Sequence, residues 1–190
     1  LDLSSCHSLQ KVDGLANLPN LTSLILTSCD SLQNADGLAN LPNLTSLDLS
    51  SCHSLQKVDG LANLTNLSSL DLSRSYFLQP RPLKGEMTTR EEVAEYQKNI
   101  RVFIALRDDD VGKLSTDKDI TSLNLYDCDS LQNVDGLTNL TNLTTLNLRC
   151  CDSLKNVDGL ANLPNLTSLN LYSCDSLQNV DVLANLPNLT

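Results

Sequence analysis

Tryptophan is absent from this sequence, and aromatic residues of all kinds fill only 3% of its 190 positions. A core without large rings must be built from aliphatic side chains, and one dominated by leucine implies regular layers. Cations are scarce as well: 13 Lys and Arg stand against 23 Asp and Glu, for a net charge of −10. A nucleic-acid backbone requires clustered Lys and Arg, so nucleic acid is excluded as the main partner. The negative balance reads as a solubility feature. No apolar run approaches the roughly 18 residues of a membrane span, and no basic start followed by an apolar stretch marks a secretion signal. The chain begins at Leu1 rather than at Met, so it is expected to be a piece of something longer. No CxxC pair, phosphate-binding glycine loop or Ser/His/Asp set is present. Without a nucleophile–base pair, neither catalysis nor a cofactor is expected.

What the sequence has in abundance is itself. Leu21–Leu32 reads LTSLILTSCDSL, and Leu44–Leu55, 23 residues on, reads LTSLDLSSCHSL. The frame recurs at Leu67, Leu143, Leu166 and Leu189. Residues 1–18 and 47–64 are identical, both LDLSSCHSLQKVDGLANL. Within the frame, Leu24 and Leu26 alternate with Ser23, Ile25 and Thr27, a period of two that suits a short strand with one buried face. Asp13, Asp36, Asp59, Asp135 and Asp158 each begin or lead a short helical turn, and the sequence predicts that each caps it. Pro19, Pro42, Pro164 and Pro187 stand near its end. One unit cannot bury its own leucines. Stacked units bury them against each other, about 4.8 Å apart along a parallel sheet.

The frame L-x-x-L-x-L-x-x-C-x-x-L resembles the leucine-rich-repeat signature, with Cys in the slot often held by Asn. The segment that follows, VDGLANLPNL, is similar to the variable half of bacterial internalin-type repeats of 23 residues. The resemblance covers about three quarters of the chain. It implies an α/β fold: a right-handed solenoid with short parallel strands on its concave face and short helical turns on its convex face. The fold carries many functions, protein binding foremost among those the resemblance implies. Neither end reads as a polar capping repeat. The array, residues 1–190, is therefore expected to continue, to be covered by a neighbour, or to self-associate through its uncapped ends.

The register breaks once. Leu70 and Leu123 are 53 residues apart, 30 more than one repeat. Leu78 still falls in the column of Leu32 and Leu55, and Val111-Gly112-Lys113-Leu114 falls in the slot of Val12-Asp13-Gly14-Leu15. Residues 79–110 thus read as an insertion within the fourth repeat, where other repeats spend two residues. All four Glu of the chain lie in it. Thr89-Arg90-Glu91-Glu92 reads as a capping box, and Val93, Tyr96, Ile100 and Phe103 form an apolar stripe, which predicts a helix near 90–107. The stripe packs on the flank of the array, or docks a partner or a second copy. Asp108-Asp109-Asp110 reads as a solvated helix end, since consecutive carboxylates do not converge on a metal.

Six of the seven cysteines form a column, Cys6, Cys29, Cys52, Cys128, Cys151 and Cys174, with Ser75 in the slot of the interrupted repeat. Their Cβ vectors run parallel, so the column reads as a reduced, inward-pointing ladder. A reduced ladder fits a reducing compartment such as the cytoplasm, with the cell surface left open. Cys150 stands apart without a histidine to activate it. His7 and His53 share a column two repeats apart, with Asp30 between them, a spacing too wide for one small metal. The Asn-Leu-Thr/Ser sequences at Asn20, Asn43, Asn66, Asn142 and Asn165 read as structural turns entering each strand.

Three columns face outward from the strands. The first, Ser23, Ser46, Ser69, Ser122, Thr145 and Ser168, is nearly uniform. The second runs Asp2, Ile25, Asp48, Asp71, Asn124, Asn147, Asn170. Asp48 and Asp71 are expected to stack and repel, either solvated or around a cation; the asparagines can bond along a ladder. The third varies most: Ser4, Thr27, Ser50, Ser73, Tyr126, Arg149, Tyr172. Tyr and Arg are enriched at binding hot spots, and Arg149 is placed to make cation–π contacts with both rings. The candidate binding residues are therefore Tyr126, Arg149 and Tyr172 with Asn124, Asn147, Asn170 and Asp127, beside a pocket formed with the insertion. The expected role is a module that binds a protein partner on its concave face and insertion. The alternative is a structural or self-assembling repeat element.

Overall fold

A computed structural model describes residues 1–110, 114 and 119–190. Two compact units, Leu1–Arg101 and Val102–Thr190, divide the chain.

The first unit is built on three parallel strands, β1 (Ser23–Ile25), β2 (Ser46–Asp48) and β3 (Ser69–Asp71). Their register follows the repeat: Ser23 pairs with Ser46 and Ser46 with Ser69, while Leu24, Leu47 and Leu70 align behind them. A single bridge from Asp2 to Ile25 continues the ladder into the first repeat. The alternation anticipated from the sequence is what the strands show: Leu24, Leu26, Leu47, Leu49 and Leu70 are all buried. Each fully buried leucine contributes about 2 kcal/mol. The parallel ladder then stops. The edge of β3 is taken by β4 (Glu86–Met87), which runs antiparallel with Leu70 opposite Met87. The parallel stack of the first unit therefore ends on this antiparallel edge, in a sheet ordered β1-β2-β3-β4.

Short 3-10 turns at Asp13–Asn17, Asp36–Leu38 and Asp59–Asn63 return the chain from each strand. One expectation is corrected here. The aspartates do not cap these turns. Val12, Ala35 and Val58 occupy the N-cap position, with no side-chain cap bond, because each Asp already lies inside the first turn. Where the turn entry has a side-chain acceptor, it is an asparagine two residues earlier. Asn133, Asn156 and Asn179 accept the amides of Asp135, Asp158 and Asp181 at 3.1, 3.2 and 2.6 Å. Asn34 does the same for Asp36 at 3.4 Å.

Helix α1 (Arg90–Arg107) starts with a reciprocal cap. Thr89 Oγ1 accepts the Glu92 amide at 3.2 Å, and Glu92 Oε2 accepts the amides of Thr88 and Thr89 at 2.9 and 3.3 Å. Val93, Tyr96 and Ile100 are buried within the first unit. Gln97 Nε2, itself buried, donates to the carbonyls of Leu61 and Leu64 at 2.8 and 3.0 Å. Arg90 donates to the Thr65 carbonyl at 2.8 Å. The apolar stripe is therefore interior surface rather than a free docking face.

In the second unit β5 (Ser122–Asn124), β6 (Thr145–Asn147) and β7 (Ser168–Asn170) are parallel in the same 23-residue register. Its core gathers Leu123, Leu125, Leu146, Leu148 and their repeats with Val102, Phe103, Ala105 and Leu106 of α1 and with Leu114. The proposed alignment of Val111, Gly112 and Lys113 lies outside the described residues. The outermost layer, Leu169, Leu171 and Leu177, is only partly buried. Among the described residues, no helix is long and apolar enough to cross a membrane.

Candidate functional site

The candidate residues of the second unit lie on and just beyond β5, β6 and β7. Their positions follow from a local device that the sequence did not announce. Asn147 Oδ1 accepts the amide of Arg149 at 3.1 Å, and Asn170 Oδ1 accepts that of Tyr172 at 3.0 Å. Such an Asx turn ends the strand and aims the residue two places on. Asn147 Nδ2 also donates to Asn124 Oδ1 at 2.8 Å, a bond between neighbouring repeats. Asn124 is buried. The asparagines thus hold the strand ends in place, and their polar atoms are largely committed there.

The aspartates of the first unit do the same work. Asp2, Asp48 and Asp71 accept the amides of Ser4, Ser50 and Ser73 at 2.9, 2.8 and 2.8 Å. The expected stack of repelling carboxylates at Asp48 and Asp71 is therefore a stack of turn acceptors, in which each charge meets its own backbone N–H. The hydrogen bonds from Ser4 hold the Asp2 carboxyl below the usual carboxylate range. Among the described residues, no group of three or more His, Cys, Asp or Glu is arranged to hold a metal.

One residue further on, the backbone turns left-handed in every repeat. Ser5, Ser28, Ser51, Arg74, Asp127, Cys150 and Ser173 have φ between 53° and 64°, and none is glycine. This places Asp127 in the turn itself, where its amide donates to the Arg149 carbonyl at 3.0 Å. The Cys150 amide donates likewise to the Tyr172 carbonyl at 2.9 Å. Nearby, Asp129 is pushed up by partial burial, then by the charges of Asp127 and Asp152.

Between these turns the third column comes together. The guanidinium carbon of Arg149 lies 5.0 Å from the Tyr172 ring centroid and 5.7 Å from that of Tyr126. Three successive repeats thus form a Tyr–Arg–Tyr sandwich. Each ring contact is worth about 0.5–1 kcal/mol at an exposed site. Tyr172 is 66% exposed. In the first unit the same column holds Ser4, Thr27, Ser50 and Ser73, where Ser50 Oγ donates to Thr27 Oγ1 of the neighbouring repeat at 3.5 Å.

The other constellations have structural explanations. Cys29, Cys52, Cys151 and Cys174 each donate their thiol to a leucine carbonyl one repeat back, at 3.4, 3.2, 3.1 and 3.1 Å. All seven cysteines are free. Burial pushes the Cys52 thiol up to about 11 and raises Cys128 as well, so these two are poor nucleophiles at neutral pH, whereas the bond from Cys128 lowers Cys151. Asn43, Asn66, Asn165 and Asn188 each donate to a turn carbonyl of the preceding repeat at 2.7–2.9 Å. His7 and His53, which sequence spacing leaves apart, are joined by Asp30: their Nδ1 atoms lie 2.9 and 2.8 Å from its two oxygens. Among the described residues, cavities of two kinds lie in the first unit. One, about 650 Å³, is an open polar groove along Asn20, Asn43, Asn66 and Arg90. The other, about 200 Å³, lies within the segment around Pro82, Leu83, Met87 and Tyr96.

Internalin C2 from Listeria monocytogenes is similar at 25% identity, over 95% of this chain and 64% of that one, with a TM-score of 0.41. The chain therefore spans less than two thirds of that protein. The leucine-rich repeat domain of the type III effector XopL is similar at 18% identity, over 98% of this chain and 73% of that one, with a TM-score of 0.50. The functional domain of InlJ from Listeria monocytogenes, which includes a cysteine ladder, is similar at 15% identity over 97% and 56%, with a TM-score of 0.25. No curated protein matches the sequence. The profile of the BspA type leucine rich repeat region matches in six copies, over residues 3–82 and 114–190. With its 23-residue register, its leucine layers and its cysteine column, this chain belongs to the BspA-type leucine-rich-repeat family.

Proposed function

We propose that this repeat array acts by binding a protein partner rather than by catalysis, and that Tyr126, Arg149 and Tyr172 form the centre of the binding surface. The observation that carries this reading is the sandwich itself. A guanidinium held between two rings, on the column where the repeats differ most, combines the residue types that dominate binding energy. Asn124, Asn147, Asn170 and Asp127 position the three side chains. The insertion at residues 79–110 adds a second, non-repeating surface to the module.

The test is the double variant Arg149→Ala with Tyr172→Ala. A photo-crosslinker placed at Ser168, exposed at the start of β7, identifies the partner, and calorimetry compares affinities. A loss of at least about tenfold is expected, since truncating hot-spot residues costs upwards of 2 kcal/mol. Unchanged affinity discards the site. A second reading, a structural or self-assembling element, draws on the identity of residues 1–18 with 47–64, because a surface tuned to one partner should diverge. Light scattering separates the two: a mass independent of concentration argues against assembly.

A further inference from the structure

We propose that the partner delivers a carboxylate to Arg149, as a Glu or Asp side chain set beside an apolar or aromatic neighbour. This rests on the binding reading above and specifies its chemistry.

Arg149 lies over Tyr172 at 5.0 Å and over Tyr126 at 5.7 Å, with one ring contributed by the repeat on either side. The guanidinium thus sits between two rings, within cation–π distance of each. Its edge carries the N–H donors in a fixed fork suited to a planar anion. Among the described residues, the guanidinium has these two rings as its partners and no carboxylate. Arg90 and Arg107, by contrast, are spent on the Thr65 carbonyl and the Asp108 carboxylate. Arginine recognises a carboxylate bidentately through this edge. Ring stacking restrains the long side chain beforehand, which reduces the entropy lost on binding.

Local charge narrows the ligand further. The adjoining turns carry Asp127, Asp129 and Asp152, and the Asp129 carboxyl is pushed up by partial burial and then by repulsion from the charges of Asp127 and Asp152. A dianionic phosphate meets that repulsion in full, whereas a singly charged carboxylate meets about half of it. The exposed ring of Tyr172 supplies apolar surface next to the fork. An acidic side chain flanked by an aromatic one therefore fits both parts of the site.

The experiment uses the whole chain and three probes: the peptide acetyl-Gly-Tyr-Glu-Tyr-Gly-amide, its Gln counterpart, and inorganic phosphate. Arginine side-chain Nε–H resonances are followed by NMR, with Arg149→Lys assigning the signal. The Glu peptide is expected to shift that resonance saturably, at least about fivefold more tightly than the Gln peptide and than phosphate. The shift should be lost in Tyr172→Ala. Equal affinity for the Glu and Gln peptides overturns the carboxylate assignment and leaves the binding surface standing. Phosphate binding as tightly as the Glu peptide overturns it too. The same holds if none of the probes moves the resonance. Failure of the surface itself is read separately, from partner affinity in the Arg149/Tyr172 double variant.

Discussion

The hydroxyl of Ser75 donates to the carbonyl of Leu49 at 2.9 Å, in the place where other repeats use a thiol. It also accepts the Cys52 amide at 3.1 Å, and it is buried. Ser75→Ala leaves both groups unpartnered in the interior and is expected to cost about 1–3 kcal/mol. Ser75→Cys restores the rung and is expected to stay within about 1 kcal/mol of the parent. Urea unfolding of the three proteins checks this. Equal stability of the Ala and Cys variants would show that the rung bonds contribute nothing.

Asp30 ties His7 to His53 across three successive repeats. Its carboxyl is held below the usual 3.8, chiefly by the bond from His53, with a smaller contribution from His7 against some desolvation. A group whose folded-state pKa is depressed stabilises the fold above its unfolded value and stops doing so as pH falls through the folded one. Asp30→Asn should therefore melt below the parent at neutral pH, and the gap should close as pH drops below 3.8. A gap that stays constant into acid would refute the bridge.

Gly14 and Gly159 occupy the same slot of the repeat and differ in their surroundings. A Cβ on Gly14 would meet nothing within 4 Å, whereas one on Gly159 would fall 2.2 Å from the Val134 carbonyl oxygen. Neither has a positive φ. Gly14→Ala should stabilise by about 0.4–1 kcal/mol through the unfolded chain. Gly159→Ala should destabilise by about 1–3 kcal/mol, because backbone has to move. Thermal unfolding of both variants decides it, and the same sign in both would contradict the packing described.

Cys150 holds the left-handed conformation at φ 57°, where an L side chain costs about 1–2 kcal/mol. Cys150→Gly is expected to gain about 0.5–1 kcal/mol, less than the full relief because glycine also loosens the unfolded state. Cys150→Val, branched at Cβ, should lose about 1–2 kcal/mol. Chemical denaturation measures both; a glycine variant weaker than the valine one would rule out strain at this column.

The leucine layers were legible because periods of two and of 23 leave no other arrangement that buries Leu24 with Leu47, and Leu123 with Leu146. The start of α1 was legible too, since Thr89 and Glu92 satisfy each other within four residues. The turn entries were misjudged. Asp13 and its equivalents looked like caps, although Asn133, Asn156 and Asn179 stood two residues before their aspartates as a visible signal. In the second outward column the asparagine ladder is legible, and Asn147 donates to Asn124 as expected; the aspartates, expected to be solvated or around a cation, are turn acceptors instead. The left-handed column gave no warning, because Ser, Arg, Asp and Cys occupy it where glycine would have marked it.

Local spacing by itself determined the repeat, its register, the buried leucine rows and the cysteine column, since each depends on neighbours a constant number of residues away. Tertiary structure alone decided that the edge of β3 pairs with the antiparallel β4 and that Asp30 bonds both histidines; the column spacing already set Arg149 between two rings, and the structure brings it within 5.0 and 5.7 Å of them. The difference is physical. Backbone stacking follows from chain periodicity, whereas these contacts depend on side-chain rotamers and on an excursion that obeys no period.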